Sequence, residues 1–279
     1  MNERSFRFLQ PLRDLLHATS LDERRCILCH IPFSPLNRGE LPADADNEQR
    51  MQIPLCPSCR ALLRQRKGGY CPLCGELQPF SDSEPALCET CQKTPPPWEH
   101  FRFYGAYSGA LKTLLLRGKF GADPAVLHLL GRFLALSCKD LPKPDAIVPV
   151  PLHSTRLRER GFNQCQARPL SDALGVPLVP DLLLRQHPTR HQVGLSEAER
   201  VANLKSAFLS LPEVRGKRIL LVDDTYTTGT TLRRAALALL DPHAGAAAVD
   251  VAVVARTPRE KHDFQYNWSS PHESLPKNS

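Results

Sequence analysis

From residue 101 onward, short apolar runs alternate with stretches in which apolar residues recur every three or four positions. "FRFYGAY" (101–107) reads as a strand, and "DAIVPVP" (145–151), "KRILLVDD" (217–224) and "AAAVDVAVVAR" (246–256) read as buried strands. Between them, "GALKTLLLRGKF" (109–120), "PAVLHLLGRFLALSC" (124–138) and "GTTLRRAALALL" (229–240) carry the apolar spacing of helices. Strands separated by helices predict an α/β fold, a parallel sheet covered on both faces. Pro169 falls where a continuous helix is expected after "GFNQCQAR", and its ring predicts a kink or an end there.

The first hundred residues follow a different pattern, set by cysteine. Eight of the ten cysteines form four pairs with one spacing: Cys26 and Cys29, Cys56 and Cys59, Cys71 and Cys74, Cys88 and Cys91. Two intervening residues let one tight turn aim both sulfurs at a single ion, and two such turns complete a tetrahedral thiolate site. Eight cysteines therefore predict two structural Zn²⁺ sites. Chain order suggests Cys26, Cys29, Cys56 and Cys59 for one and Cys71, Cys74, Cys88 and Cys91 for the other, with an interleaved pairing left open. Disulfides suit a secreted chain, and "MNERSFRFLQPLRDLLHATS" does not read as a signal peptide. A thioredoxin-like motif needs one such pair in a βαβ unit. The plainest role of the metal is to staple a segment too poor in core to fold alone. Cys138 and Cys165 stand outside the pairs and read as ordinary buried thiols.

These patterns divide the chain into a polar lead-in (1–25), a double zinc ribbon (26–94), a Pro-rich linker (95–100), an α/β domain (101–256) and a polar tail (257–279). An acidic insertion, "GELPADADNEQR" (39–50), interrupts the ribbon. With 279 residues, 42% of them apolar, a substantial core is possible, and no apolar stretch reaches the ~18 residues a membrane span needs. A cytoplasmic protein without membrane insertion is expected. The formal charge of +7 favours an anionic partner. Each zinc with four thiolates carries −2, which brings the chain to about +3 and weakens that argument. Aromatic residues are 6% of the chain and do not interleave with basic ones as in an RNA-recognition signature.

The candidate chemistry lies in "RILLVDDTYTTGTTLRR" (218–234). In open α/β sheets ligands bind at the carboxyl ends of strands, where Asp223 and Asp224 fall. Residues 225–231 then lead into a helix, so hydroxyls, backbone N–H groups and the helix dipole together make a phosphate cradle. Gly229 lets the backbone approach closely. Carboxylates for sugar hydroxyls beside donors for a phosphate suit a ribose 5-phosphate. A strand end with an N-cap accounts for one Asp and one Thr, not for the dense run of both. A Walker loop needs Gly-x4-Gly-Lys-Ser/Thr, which does not occur. A receiver-domain acid cluster would not need the threonines.

"ILLVDDTYTTGTTL" resembles the PRPP-binding motif of type I phosphoribosyltransferases. The paired cysteines, "IVPVPLHSTRLRERGFNQ", "HQVGLSEAERVANLKSAF", "KTPPPW" and, more weakly, "GKF" (118–120) extend the resemblance to the ComF family over most of residues 26–256. The implied fold is a type I phosphoribosyltransferase-like parallel sheet flanked by helices, preceded by a small Cys-rich double zinc-ribbon module. By resemblance, Asp223 and Asp224 bind the ribose hydroxyls of PRPP, and Thr225, Thr227, Thr228, Gly229 and Thr230 hold the 5-phosphate. Arg156, Arg160 and Gly161 meet pyrophosphate, and Arg200 lies in a hood over the site. Asp223, Asp224, Arg160 and Arg200 are the catalytic candidates, with Mg²⁺ carried by PRPP. His153 and His191 read as polar surface residues, Arg233 and Arg234 as a solvated helix face, and Trp98 as packing for the linker. The family's association with competence implies a role in DNA uptake or utilisation, with single-stranded DNA and other DNA-uptake proteins as partners. Two functions follow: phosphoribosyl transfer from PRPP to an unknown acceptor, or a catalytically silent DNA-binding scaffold built on the same fold. A zinc adaptor that docks proteins is a third, weaker reading.

Overall fold

The computed structural model describes residues 23–34, 53–78, 80, 83–121, 123–151, 162–185 and 207–258, with backbone alone for 162–166. The chain divides into two compact units, and within the described residues the boundary between them falls between Leu63 and Arg64. The described part of the first unit is small. Strands β1 (Arg24–Arg25) and β2 (Pro32–Phe33) pair antiparallel, and a short helix α1 (Pro57–Leu62) follows. Its buried side chains include Cys26, Cys29, Cys56, Cys59, Ile53, Leu55 and Leu63, so sulfur supplies much of the interior.

The second unit opens with α2 (Glu89–Lys93), which starts at Cys88. The Pro-rich stretch then joins the sheet: the N–H of Glu99 donates to Val249 O at 3.0 Å, and Val251 N–H to His100 O at 2.9 Å. Strand β3 (Phe101–Ala106) is followed by helices α3 (Gly109–Gly121) and α4 (Pro124–Cys138). Asp123 caps α4 by accepting from the N–H groups of Ala125 and Val126, which satisfies two of its orphan donors. Next come β4 (Ala146–Pro149) and α5 (Phe162–Leu174), then a small antiparallel pair, β5 (Leu183–Arg185) and β6 (Phe208–Ser210). The chain closes with β7 (Arg218–Tyr226), α6 (Thr230–Leu240) and β8 (Ala248–Arg256).

Four of these strands form one parallel sheet in the order β3-β8-β7-β4. Ile219, Leu221, Val249, Val251 and Val253 pack with Leu232, Ala235, Ala236 and Leu239 of α6 on one face. The helices α3, α4 and α5 cover the other, where Tyr104 stacks on Phe133 with centroids 4.0 Å apart. All nine residues of β8 are buried, which explains a strand sequence without hydrophobic alternation. Each fully buried valine there contributes about 1.5–3 kcal/mol.

Helix α5 runs through Pro169 to Leu174. Of the kink or end expected there, the end is excluded: proline removes one backbone donor, yet Ala167 and Leu170 on either side are fully buried, and this packing holds the helix. Trp98 is buried, as its packing role predicts, and so is Cys138, whose thiol burial pushes up to about 12. At the amino end of the sheet, buried Asp250 accepts from Arg218 Nη1 at 3.1 Å and lies 2.8 Å from His100 Nδ1, while Arg218 also pairs with Glu99 at 2.8 Å. The Glu99 hydrogen bond raises the Arg218 pKa against the effect of burial, with Asp250 adding to it. Among the described residues, no helix is long and apolar enough to cross a membrane.

Candidate functional site

Strand β7 sits between β4 and β8, so residues 219–222 are wholly buried. The apolar run can stop only where the strand leaves the core, and there stand Asp223 and Asp224, both half-buried. Consecutive residues of an extended strand face opposite ways. Asp223 lines a shallow polar hollow together with Thr225 and residues 226–232. Its Oδ1 accepts the N–H of Asp224 at 2.9 Å. Asp224 turns toward α3, where Lys119 Nζ lies 3.0 Å from its Oδ2, and the Thr225 hydroxyl donates to its Oδ1 at 2.6 Å. Lys119 also donates to Thr225 Oγ1 at 3.3 Å.

The loop after β7 turns into α6 through Gly229, whose φ of +78° is left-handed. A Cβ at this position would fall on the Tyr226 hydroxyl, so both backbone and packing demand glycine. Gly229 offers no side chain to cap α6, and beyond Thr230 the first-turn residues Thr231 and Leu232 line the hollow. Thr228 and Thr230 bring their hydroxyls to 3.0 Å, and the Thr230 N–H reaches Thr228 Oγ1 at 3.4 Å. Beneath the loop, the buried Tyr226 ring meets Phe101 and Trp98 edge to face, with centroids 5.1 and 6.3 Å apart. Burial raises the pKa of its phenol. The result is a rigid aromatic floor under a rim of hydroxyls, N–H dipoles and carboxylates. Such a rim accepts a phosphate at the helix start and hydroxyls at the acids.

The eight paired cysteines converge as two clusters, Cys26, Cys29, Cys56 and Cys59 in the first unit and Cys71, Cys74, Cys88 and Cys91 in the second. Within each, the four sulfurs lie within 4.8 Å of one another. Both are built alike. One pair forms a turn closed by a left-handed residue, His30 (φ 61°) after Cys29 and Gly75 (φ 66°) after Cys74. The other pair begins a helix, with Cys56 and Cys88 as the N-cap residues of α1 and α2. Cys29 and Cys56 are 3.8 Å apart at sulfur, and Cys74 and Cys88 are 3.6 Å apart. Four thiolates ~2.3 Å from a tetrahedral ion stand roughly 3.8 Å from each other, so both clusters fit Zn²⁺.

The protonation pattern also suits a cation. Burial, partly offset by hydrogen bonds, pushes up the thiols of Cys29 and Cys91, the latter to about 12, and burial with neighbouring thiols pushes up Cys59. Cys74 is raised by its hydrogen bond to Cys71, and the same bond holds Cys71 down at about 4. Burial works against ionisation of Cys26 as well, yet backbone donors at Cys29, Cys56 and Leu28 bring it to about 7. Four thiolates cannot share so small a space without a cation.

Residues 166–273 match the family profile of the phosphoribosyl transferase domain, a span that includes the acids and the loop. The chain is 35% identical over 242 residues to the DNA utilization protein YhgH of Salmonella typhi, covering 83% of this chain and 96% of that protein. It is 36% identical over 190 residues to Competence protein F of Haemophilus influenzae (64% and 80%), and 32% identical over 199 residues to Competence protein ComFC of Bacillus subtilis (67% and 78%). The chain belongs to the ComF family. Its parallel sheet with helices on both faces is the phosphoribosyltransferase-like architecture, joined here to cysteine clusters that suit zinc ribbons.

For this ComF-family chain the structure brings together Asp223, Asp224, Thr225, Thr227, Thr228, Gly229 and Thr230 around one hollow or its rim. Arg156, Arg160, Gly161 and Arg200, with His153 and His191, lie outside the described residues. Lys119 is the residue that sequence reasoning did not count in the site. Its signal was the weak "GKF" likeness, and only the packing of α3 beside β7 brings its ammonium to Asp224.

Proposed function

We propose that this chain binds PRPP at the carboxyl end of β7 and transfers its phosphoribosyl group to an acceptor in the service of DNA uptake or utilisation. The observation that carries the reading is the acid pair of Asp223 and Asp224 leading directly into a hydroxyl-rich loop that enters α6 at a left-handed glycine. The phosphoribosyl transferase domain match and the names of the relatives support it.

In this reading, the N–H groups and hydroxyls of Thr227, Thr228, Gly229 and Thr230 hold the 5-phosphate, with Thr225 at the base of the loop. Asp223 and Asp224 orient the ribose through its hydroxyls. Cleavage of the anomeric C–O bond develops positive charge on the sugar and negative charge on pyrophosphate, and the two carboxylates favour the cationic sugar. Lys119 offsets part of the acid pair's charge and gives the site a cation near a polyanionic ligand. Oxygen donors of this kind suit Mg²⁺, which when bound with PRPP neutralises the leaving group. Arg156, Arg160, Gly161 and Arg200 are proposed to complete the pyrophosphate side and the hood. The cysteine clusters hold Zn²⁺ structurally, because four thiolates leave no open coordination position. A cytoplasmic site of action belongs to the same reading, because cysteine pairs that hold zinc suit a reducing compartment.

Calorimetric titration of the zinc-loaded protein with PRPP and Mg²⁺ tests the reading, beside an Asp223→Asn/Asp224→Asn variant. Binding heat from the parent and none from the variant is expected. No heat from either overturns PRPP binding and leaves the fold as a scaffold, whose affinity for single-stranded DNA would then be measured at moderate salt.

A further inference from the structure

Arg256 is the last residue of β8 and is fully buried. A guanidinium cannot shed its charge, so its burial requires that its donors be met. Nε donates to the carbonyl of Cys74 at 3.0 Å. Nη2 pairs with Glu76 Oε2 at 2.6 Å. Nη1 is shared among the carbonyls of Tyr226, Thr227 and Thr257, at 3.3 Å and 3.0 Å for the first two. The guanidinium carbon lies 4.6 Å from the centroid of the Tyr226 ring. One edge of a rigid planar group thus holds the turn of the second cysteine cluster, and the other holds the start of the hydroxyl-rich loop.

A second strut runs parallel. The Trp98 indole N–H donates to Leu73 O at 2.7 Å, inside the turn between Cys71 and Cys74, and the Trp98 ring stands edge to face against Tyr226. Leu73 and Cys74 carry carbonyls whose positions depend on Cys71 and Cys74 facing one centre. When the sulfurs are gathered, the acceptors are in place. When they spread, Arg256 and Trp98 lose their anchors on that side, and Tyr226 loses the groups that fix it beneath Gly229.

We propose that Arg256, oriented by Glu76, is a positioning residue that couples the second cysteine cluster to the loop of residues 226–230. Metal held by Cys71, Cys74, Cys88 and Cys91 then sets the affinity of the loop for its phosphorylated ligand. Coupling of two binding sites is reciprocal, so a ligand on the loop tightens the hold on that metal. The ligand named here, PRPP, rests on the reading given under Proposed function. The link between cluster and loop does not.

The test uses full-length, zinc-loaded protein carrying Trp268→Phe, which leaves Trp98 as its single tryptophan. A zinc-selective chelator is titrated to equilibrium in the presence of Mg²⁺, with and without PRPP, while Trp98 emission and released zinc are followed. In the parent, PRPP should raise the zinc affinity read from the Trp98 transition at least about fivefold. Glu76→Gln and Arg256→Lys should abolish that shift and weaken PRPP binding by roughly five- to tenfold, since lysine keeps the charge but not the planar fork. Should Arg256→Lys fail to fold, Glu76→Gln carries the test, because its side chain is one-fifth exposed and the change is isosteric. Parent-like PRPP affinity with an intact shift in a folded variant overturns the coupling and leaves PRPP binding standing. If the parent binds no PRPP, the functional reading fails and zinc release alone decides. A Trp98 transition at lower chelator in Glu76→Gln than in the parent then supports the strut, and equal midpoints overturn it.

Discussion

The ammonium of Lys119 lies 3.0 Å from Asp224 Oδ2, an ion pair between the last turn of α3 and the carboxyl end of β7. Both side chains are largely shielded, so the pair holds more of its strength than a surface bridge would. It sets the charge balance of the site: two adjacent carboxylates alone would repel a phosphorylated ligand.

Lys119→Met is therefore expected to weaken PRPP binding about tenfold, or ~1.4 kcal/mol. Lys119→Arg should keep most of the affinity. Calorimetric Kd values for the three proteins at low and high salt check this, and the difference should narrow as salt screens the charges. Unchanged affinity in Lys119→Met would show that the lysine only serves Asp224 in the folded chain.

Gly229→Ala meets two obstacles, a left-handed backbone and the Tyr226 hydroxyl. The first costs roughly 1–2 kcal/mol for a residue with a Cβ. Adding Tyr226→Leu removes the hydroxyl and the ring carbons that the new Cβ would strike, so the double variant should lose less ligand affinity than the two single changes together, while the backbone cost stays. A double-mutant cycle on Kd and Tm measures the coupling. Strictly additive effects would exclude the clash.

Zinc binding should be steeply dependent on pH. In the metal-free clusters Cys29 and Cys59, and likewise Cys74 and Cys91, are raised above the ordinary thiol value. At neutral pH these thiols are protonated and must release their protons to bind metal. Affinity accordingly rises with pH up to the raised pKa values and falls as the medium becomes acidic. With two such thiols in each cluster, the slope near pH 7 should be at least about two decades per pH unit. Titrations in buffers of different ionisation enthalpy count the protons directly. Fewer than two per zinc would contradict the protonation pattern.

Arg218→Met leaves Asp250 buried without its guanidinium, with His100 as its remaining partner among the described residues. Loss of one member of a buried pair is strongly destabilising, and the partial exposure of Arg218 and Glu99 reduces the effect here to about 2–3 kcal/mol. In a unit of this size that corresponds to a drop in Tm of roughly 5–10 °C. Because this network is at the amino end of the sheet, the PRPP Kd of the folded variant should be unchanged. Thermal melts and calorimetry on one preparation separate the two effects.

Much of this architecture is written in local pattern. Residues 219–222 are apolar without a break, and a run of that kind followed by Asp223 and Asp224 can only be a buried strand meeting its end. The helix spacing of residues 230–240 and the two-residue spacing of the cysteine pairs are equally local. Pro169 shows where such reading stops: proline predicts a kink or an end, and the packing of Ala167 and Leu170 carries the helix past it.

The sequence by itself determined the four strands of the parallel sheet, the helices α3, α4 and α6, the hydroxyl-rich loop after an acid pair, and the cysteine pairs poised for metal. All of these depend on residues within a few positions of each other, whose spacing dictates which way side chains point. The tertiary structure alone decided that the cysteines group sequentially, that Lys119 reaches Asp224, and that Arg256 is buried between a cysteine turn and the phosphate loop. The physical reason is the strand order β3-β8-β7-β4. Parallel crossovers set strands distant in sequence side by side, and which residues then share one end of the sheet depends on how the faces pack together.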